Sequence, residues 1–319
     1  MNRKIRIAAA QMGPVHLRDS REHCVTRLIE MMREAHATGC KVVVFPELAL
    51  STFFARHWME TQTEIDAFFE SEMPNKATMP LFEEAKKLGM SFYLGYAELD
   101  NSTGTPRHFN TSILVGPNGK IVGKYRKIHL PGTTDFREGY PFQQLEKRYF
   151  EIGDKGFPVW WHREAIMGMA LCNDRRWPET YRVMGLQGVE VVMLGYNTHD
   201  TNQYHTESKH LKMLHNHVCM QAAAYQNGTW IVATAKAGSE DGYTEMIGGS
   251  CIVSPTGEIV AQACTQEDEV ISFNCDMDLG KGIRENRFNF ADHRRIEHYG
   301  LITSQTGVVP PPKPTEESE

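Results

Sequence analysis

The amino-acid sequence predicts an α/β sandwich made as a single domain, and two patterns support it. Short apolar strands alternate with helical stretches for most of the length, as in folds that layer helices on sheets. No internal repeat and no linker-like stretch divides the chain, and 319 residues are enough to bury one large core. The domain is expected over residues 1–307, with a Pro-rich, acidic tail at 308–319 that reads as an extended or mobile arm.

In chain order, 4–11 reads as the first strand. A helix follows, with Asp19 and Glu22 at capping-box spacing. Val25, Leu28, Ile29 and Met32 form its apolar stripe, and Gly39 marks its end. KVVVF at 41–45 is a buried strand stopped by Pro46. Helical patterns at 63–71 and 77–88 precede a strand at 91–97. Strands at 111–115 and 120–125 flank GPNG, where Asn118 and Gly119 suit the positive φ angles of a hairpin turn. A loop rich in His, Pro and Gly covers 129–148, and loops of that length inside a compact domain are often functional. A strand at 164–171 runs directly into Cys172, followed by a helix at 177–187 and a strand at 189–194. A long helix at 205–226, a strand at 230–234, a hairpin of 251–253 with 258–261 around SPTG, and a strand at 270–275 complete the series.

Composition narrows the function. A net charge of -6 leaves no basic excess to neutralise phosphates, so nucleic acid is not an expected partner. No stretch approaches the ~20 apolar residues of a membrane helix, and the apolar run at the N-terminus is too short for a signal-peptide core. A cytoplasmic protein without membrane association is therefore expected. The seven cysteines are odd in number, scattered and without a C-x-x-C pair, which disfavours both a disulfide framework and a structural zinc site. His205, His210, His215 and His217 lack H-x-x-x-H spacing and are read as structural or pocket-wall residues; neither a metal nor a cofactor is expected. Met31, Met32, Met213 and Met220 are read as core filler, and Gly248-Gly249 as a tight turn.

Three residues stand where α/β proteins place chemistry, at strand ends or in loops. Glu47 follows the VVVF strand in FPE, Lys127 lies in YRKIHL after the first hairpin, and Cys172 ends a strand ahead of NDRRWPE. A thiol at a strand-to-helix turn is expected to gain from the helix N-terminus, which favours the thiolate. Taken singly, each has an ordinary structural reading: a small buried hydrophobe for Cys172, a cap for Glu47, a solvated charge for Lys127.

Together, in that order, FPE, YRKIHL and CNDRRWPE resemble the Glu-Lys-Cys triad of nitrilase-like amidohydrolases. Further similar blocks are AAAQMGP, GYAEL, FNTSILVGPNGKIVGKYRKIHLPG and GGSCIVSPTGEIV, so the resemblance spans nearly the whole chain. PFQQLEKRYFEIGDKGFPV and CNDRRWPETYRVMGL are more specific and resemble the branch of N-carbamoyl-D-amino-acid amidohydrolases. The resemblance implies a four-layer α-β-β-α sandwich that assembles as a homodimer or homotetramer. It implies hydrolysis of a small-molecule N-carbamoyl-D-amino acid to the D-amino acid, ammonia and carbon dioxide, with no cofactor. The alternatives are a related amidohydrolase (β-ureidopropionase, amidase or nitrilase) and a catalytically silent binding or assembly subunit on the same fold.

Within that resemblance Cys172 is the nucleophile and Glu47 the general base. Lys127, helped by the backbone N–H of Asn173, stabilises the oxyanion. Glu146 in QLEKRYFE is a fourth catalytic candidate. Arg175 and Arg176 follow the nucleophile, with one expected to grip a carboxylate through its planar fork and the other to make a structural pair. Asn173, Asn197, Thr198, His129 and Gln144 are expected to line the substrate pocket. Gln144 departs from the branch, which carries a His there; a Gln keeps the hydrogen bonds but cannot become cationic.

Overall fold

The computed structural model describes residues 3–140, 142–200, 208–242 and 245–313. Its elements are β1 (Lys4–Gln11), α1 (Arg21–Ala37), β2 (Val42–Val44), α2 (Gln62–Asp66), α3 (Met79–Leu88), β3 (Ser91–Asp100), β4 (Arg107–Val115) and β5 (Ile121–Arg126). The second half comprises α4 (Glu146–Tyr149), β6 (Val159–His162), β7 (Ala165–Leu171), a 3-10 turn at Cys172–Arg176, α5 (Pro178–Leu186), β8 (Val191–Tyr196), α6 (Lys209–Asn227) and β9 (Trp230–Ala235). The short strands β10 (Ala237–Ser239) and β11 (Glu245–Ile247), then β12 (Cys251–Val253), β13 (Ile259–Gln262) and β14 (Glu269–Asp276), follow.

Two six-stranded sheets run β14-β1-β2-β3-β4-β5 and β13-β12-β9-β8-β7-β6. Each has three parallel strands at its centre, β1-β2-β3 in the first and β7-β8-β9 in the second, with antiparallel strands on both sides. Side-chain alternation then dictates the layers. Ile5, Ile7 and Ala9 of β1 join Val42, Val44 and Tyr93 against Met167, Met169, Met193 and Val232 of the second sheet. Ala8 and Ala10, one residue out of phase, face Leu28, Met31 and Met32 of α1 and Leu81 and Phe82 of α3. Tyr181 and Met184 of α5 and Met220 and Ala224 of α6 cover the outside of the second sheet. The result is the α-β-β-α sandwich, with the sheet-to-sheet core at its centre. No helix among the described residues is long and apolar enough to cross a membrane.

Several boundaries differ from the sequence reading for identifiable reasons. The cap of α1 is Ser20, whose side chain accepts from the His23 N–H, so Asp19 and Glu22 are not its capping pair. Asp19 instead accepts from the backbone N–H of His16. The helix expected at 63–71 is only the short α2, capped by a box of Thr61 and Glu64. The 129–148 loop ends in the one-turn helix α4, and the aromatic run VWWH conceals the strand β6. The long helix expected from 205 is described from Lys209, and His205 lies outside the described residues. His210 and His215 are exposed, while His217 is buried against the Gly249 carbonyl. The tail is exposed through 308–313, with Val308 and Val309 carrying 92% and 74% of their free area; its last six residues lie outside the described ones.

Candidate active site

Glu47 follows β2, and the chain there is hemmed in by both sheets. A Cβ on Gly95 of β3 would lie 2.7 Å from the Glu47 Cα, and one on Gly195 of β8 would lie 2.5 Å from the Glu47 N. Glycine at these two positions lets Glu47 sit between the sheets. Its carboxylate is fully buried and fully engaged: Oε1 accepts from Lys127 Nζ and Asn110 Nδ2, both at 2.8 Å, and Oε2 from the Asn197 N–H at 3.0 Å. The Asn197 side chain donates back to the Glu47 carbonyl at 3.0 Å, which clamps the two strand ends together.

Lys127 leaves the end of β5 and is also fully buried. Its Nζ donates to Glu47 and, at 2.5 Å, to Glu146 Oε2. Burial alone would discharge the amine. The acidic groups of Cys172, Glu146 and Glu47 outweigh it and hold the ammonium well above the usual lysine range. Glu146 opens α4, which is fixed by an apolar cluster of Phe53, Phe54, Phe69, Leu145, Tyr149 and Phe150. Burial pushes its carboxyl up to about 7, against the pull of Lys127 and the Gln144 side chain, and Glu47 adds to the rise.

Cys172 stands at the start of the 3-10 turn with φ +45, a left-handed backbone that a non-glycine residue adopts only when its surroundings impose it. Its Sγ donates to the Asn197 carbonyl at 3.3 Å. The thiolate expected at this turn is not the resting form. Burial and the Glu47 charge push the thiol up to about 11, although Lys127 and Arg175 pull it down. The helix whose dipole was to favour the thiolate is α5, and it starts only at Pro178. Sγ and the carboxylate oxygens of Glu47 and Glu146 lie within 4.8 Å of one another. This is the one such donor cluster among the described residues, and Lys127 Nζ bonds both carboxylates.

The two arginines part company. Arg175 is buried; Nε donates to Asn216 Oδ1 (2.8 Å), Nη1 to the Cys172 carbonyl (2.7 Å), and Nη2 to Thr198 Oγ1 (2.7 Å). Its guanidinium lies 4.3 Å over the Tyr196 ring, with Nη1 3.9 Å from Cys172 Sγ. Arg176 is exposed on the α5–α6 side. His129 turns its ring onto the Asp174 carboxylate and stacks on Trp177, while the Asn173 amide donates to the His129 carbonyl. Glu47, Lys127, Glu146, Cys172, Asn197, Arg175 and Thr198 are thus one connected cluster, and His129 and Asn173 border it. Sequence reading missed Asn110, Asp174 and Asn216. The first two lie inside blocks already singled out, but nothing in their spacing separates them from neighbouring polar residues.

The family of carbon-nitrogen hydrolases matches residues 6–285, which include the whole cluster. The chain belongs to that family. Its relatives are distant. The N-carbamoylputrescine amidase of Arabidopsis thaliana is 30% identical over 289 residues, covering 87% of this chain and 89% of its own. The citrullinase of Francisella tularensis subsp. tularensis is 26% identical over 93% and 98% of the two chains. In fold, this carbon-nitrogen hydrolase resembles the carbon-nitrogen hydrolase from Helicobacter pylori G27, with a TM-score of 0.81 at 22% identity over 95% of this chain and 99% of that one. Similarity of this kind supports an amidohydrolase with a cysteine nucleophile. It does not single out the D-carbamoyl branch.

Proposed function

We propose that this carbon-nitrogen hydrolase cleaves N-carbamoyl-D-amino acids, with Cys172 as nucleophile. The observation that carries the substrate class is Arg175. A guanidinium is buried beside the thiol, and among the described residues all its hydrogen-bond partners are neutral. An unpaired buried cation is costly, and a substrate carboxylate one carbon from the ureido nitrogen supplies the missing charge. Thr198 and Asn173 are assigned to the same end of the substrate, with His129 and Gln144 on the pocket wall, and Arg176, exposed on the α5–α6 side, is left the structural role. The D configuration rests on the resemblance of the segments around Gln144 and Cys172 to that branch.

In this mechanism Glu47 accepts the thiol proton as sulfur attacks the ureido carbonyl, so a thiolate need never accumulate. Lys127 and the Asn173 N–H hold the oxyanion, each donor contributing ~3 kcal/mol. A C–S bond forms and one C–N bond breaks, with Glu47 returning the proton to the departing nitrogen. Water, activated by Glu47, then hydrolyses the thioester-like carbamoyl-enzyme. Glu146 Oε1 and Asn197 Oδ1, which have no hydrogen-bond partner within normal geometry among the described residues, are buried acceptors for substrate N–H groups.

The name of the Arabidopsis relative suggests a second reading, a ureido compound ending in an amine. That ammonium would approach Arg175, like charge to like, so the carboxylate is preferred. The test is kinetic: N-carbamoyl-D-alanine should be turned over at least tenfold faster than its C-terminal amide. Equal rates would remove Arg175 as a carboxylate anchor. A chiral assay on racemic N-carbamoyl amino acids should yield only D product. The active particle is proposed to be a homodimer or homotetramer, supported by the exposed Val183 and Leu186 of α5 and Leu211, Leu214 and Val218 of α6.

A further inference from the structure

We infer that Asp174 is a positioning residue that sets the separation between Cys172 and Lys127. It does so by tying the turn that carries the thiol to the chain on both sides of the lysine. Its carboxylate is fully buried and accepts four hydrogen bonds, two on each oxygen. Oδ2 takes the Leu171 N–H (3.1 Å), immediately before the thiol, and the Tyr125 hydroxyl (2.7 Å) of β5. Oδ1 takes the backbone N–H (3.0 Å) and the ring Nδ1 (2.8 Å) of His129. Tyr125 and His129 stand two residues before and two residues after Lys127.

Asn173 and Trp177 also touch His129 from this turn, but among the described residues only Asp174 bonds the chain on both sides of the lysine. Arg175 holds the same turn from the opposite side, through the Cys172 carbonyl, and is anchored to Asn216 of α6. The strained backbone at Cys172 is therefore gripped by a cation on the α6 side and a carboxylate on the lysine side. The His129 ring is held in place between Trp177 at 5.0 Å and Phe157 at 5.9 Å. Four donors converge on Asp174, so only an ionised carboxylate satisfies them all. An amide of the same shape would present N–H groups to two of those donors and loosen one of the three tethers. Lys127 favours the thiolate through its charge, so any slack between the two segments is read directly by the thiol.

The inference rests on Cys172 and Lys127 being the reacting pair, and its test has one arm that needs no substrate. In the full chain, the rate of Cys172 alkylation by iodoacetamide is followed against pH for the wild type, Asp174→Asn and Tyr125→Phe. Thermal midpoints are recorded alongside, with kcat and KM on N-carbamoyl-D-alanine. The alkylation midpoint is expected to rise in Asp174→Asn, with kcat falling about ten- to a hundredfold, the scale of a misplacement near 1 Å, and KM changing little. Tyr125→Phe, which removes one donor at constant shape, should move both in the same direction by less, and it decides the matter if Asp174→Asn does not fold. An alkylation midpoint unmoved in both variants overturns the inference, whether kcat is retained or is lost together with the thermal midpoint. A wild type inert towards N-carbamoyl-D-alanine would instead overturn the substrate reading and leave the alkylation comparison to stand.

Discussion

At the scale of single residues, the site stores its charge on Lys127 and the carboxylates and keeps the sulfur neutral. A thiol pushed up to about 11 by burial and by Glu47 reacts only when its proton can move as the bond forms. Cys172→Ser should therefore lose at least a thousandfold in kcat while keeping the wild-type thermal midpoint, because the alkoxide is harder still to form. Peroxide should inactivate the enzyme, with mass mapping placing the first oxidation on Cys172, and substrate should protect it. Glu146 yields a pH prediction. Its folded pKa, pushed up to about 7, exceeds the ordinary carboxylate value of 4.5, so the folded state holds a proton that the unfolded state has lost between those two pH values. That contribution to stability is present at low pH and is lost as pH rises through the window. Thermal midpoints of Glu146→Gln relative to wild type should accordingly climb from pH 4.5 to 7 and level off above; a flat difference would contradict the raised carboxyl.

At the scale of elements, two close approaches hold the geometry. Gly195→Ala would drive a methyl to 2.5 Å from the Glu47 N. The backbone must shift, at a cost of about 1–3 kcal/mol of stability, and kcat should fall at least tenfold because Glu47 moves with it. The second device lies beyond β9. Glu240 is fully buried and pairs with Arg56 at 2.9 Å and Lys236 at 3.3 Å, while also accepting from Thr52 and the Phe53 N–H. It fastens the segment after Glu47 to the second sheet. Glu240→Ala removes the carboxylate that two buried cations share, leaving Asp241 beside Arg56 and the Ser51 carbonyl beside Lys236, and should cost about 3 kcal/mol in urea unfolding. Neither device is visible as a pattern in sequence. Gly95 and Gly195 look like any strand glycine, and the partners of Glu240 lie more than 180 residues away for Arg56 but only four for Lys236.

For the molecule as a whole, the outer helices of the second sheet present exposed apolar side chains among the described residues. Val183, Leu186, Leu214 and Val218 are each 40–49% exposed, on α5 and α6. Light scattering should find a particle of at least two chains, and Leu214→Glu with Val218→Glu should lower its mass. A monomeric wild type would remove the proposed assembly. Pairing through this face would also stiffen α5 and α6, the elements that carry the Asn216 support of Arg175.

Much of this protein is legible in its sequence, because strand ends in α/β folds are marked by short-range signals. VVVF ahead of Glu47, the GPNG hairpin before Lys127 and the MGMAL strand ahead of Cys172 each show where a side chain leaves a sheet edge. Periodicity of two and of 3.6 is written locally, so the α/β class follows from it, whereas the four-layer order came from the family resemblance. What only the tertiary structure decided depends on distance between remote segments. The thiol's ionisation is the clearest case: local reading favours the thiolate, whereas burial between two sheets, with Glu47 brought alongside from 125 residues earlier, raises it instead. The same holds for Asp174 and Arg175, whose neighbours in sequence do not reveal that one closes the lysine side of the nucleophile and the other its far side. Solvation and charge at Cys172 are sums over the whole fold, and no window of sequence contains that sum.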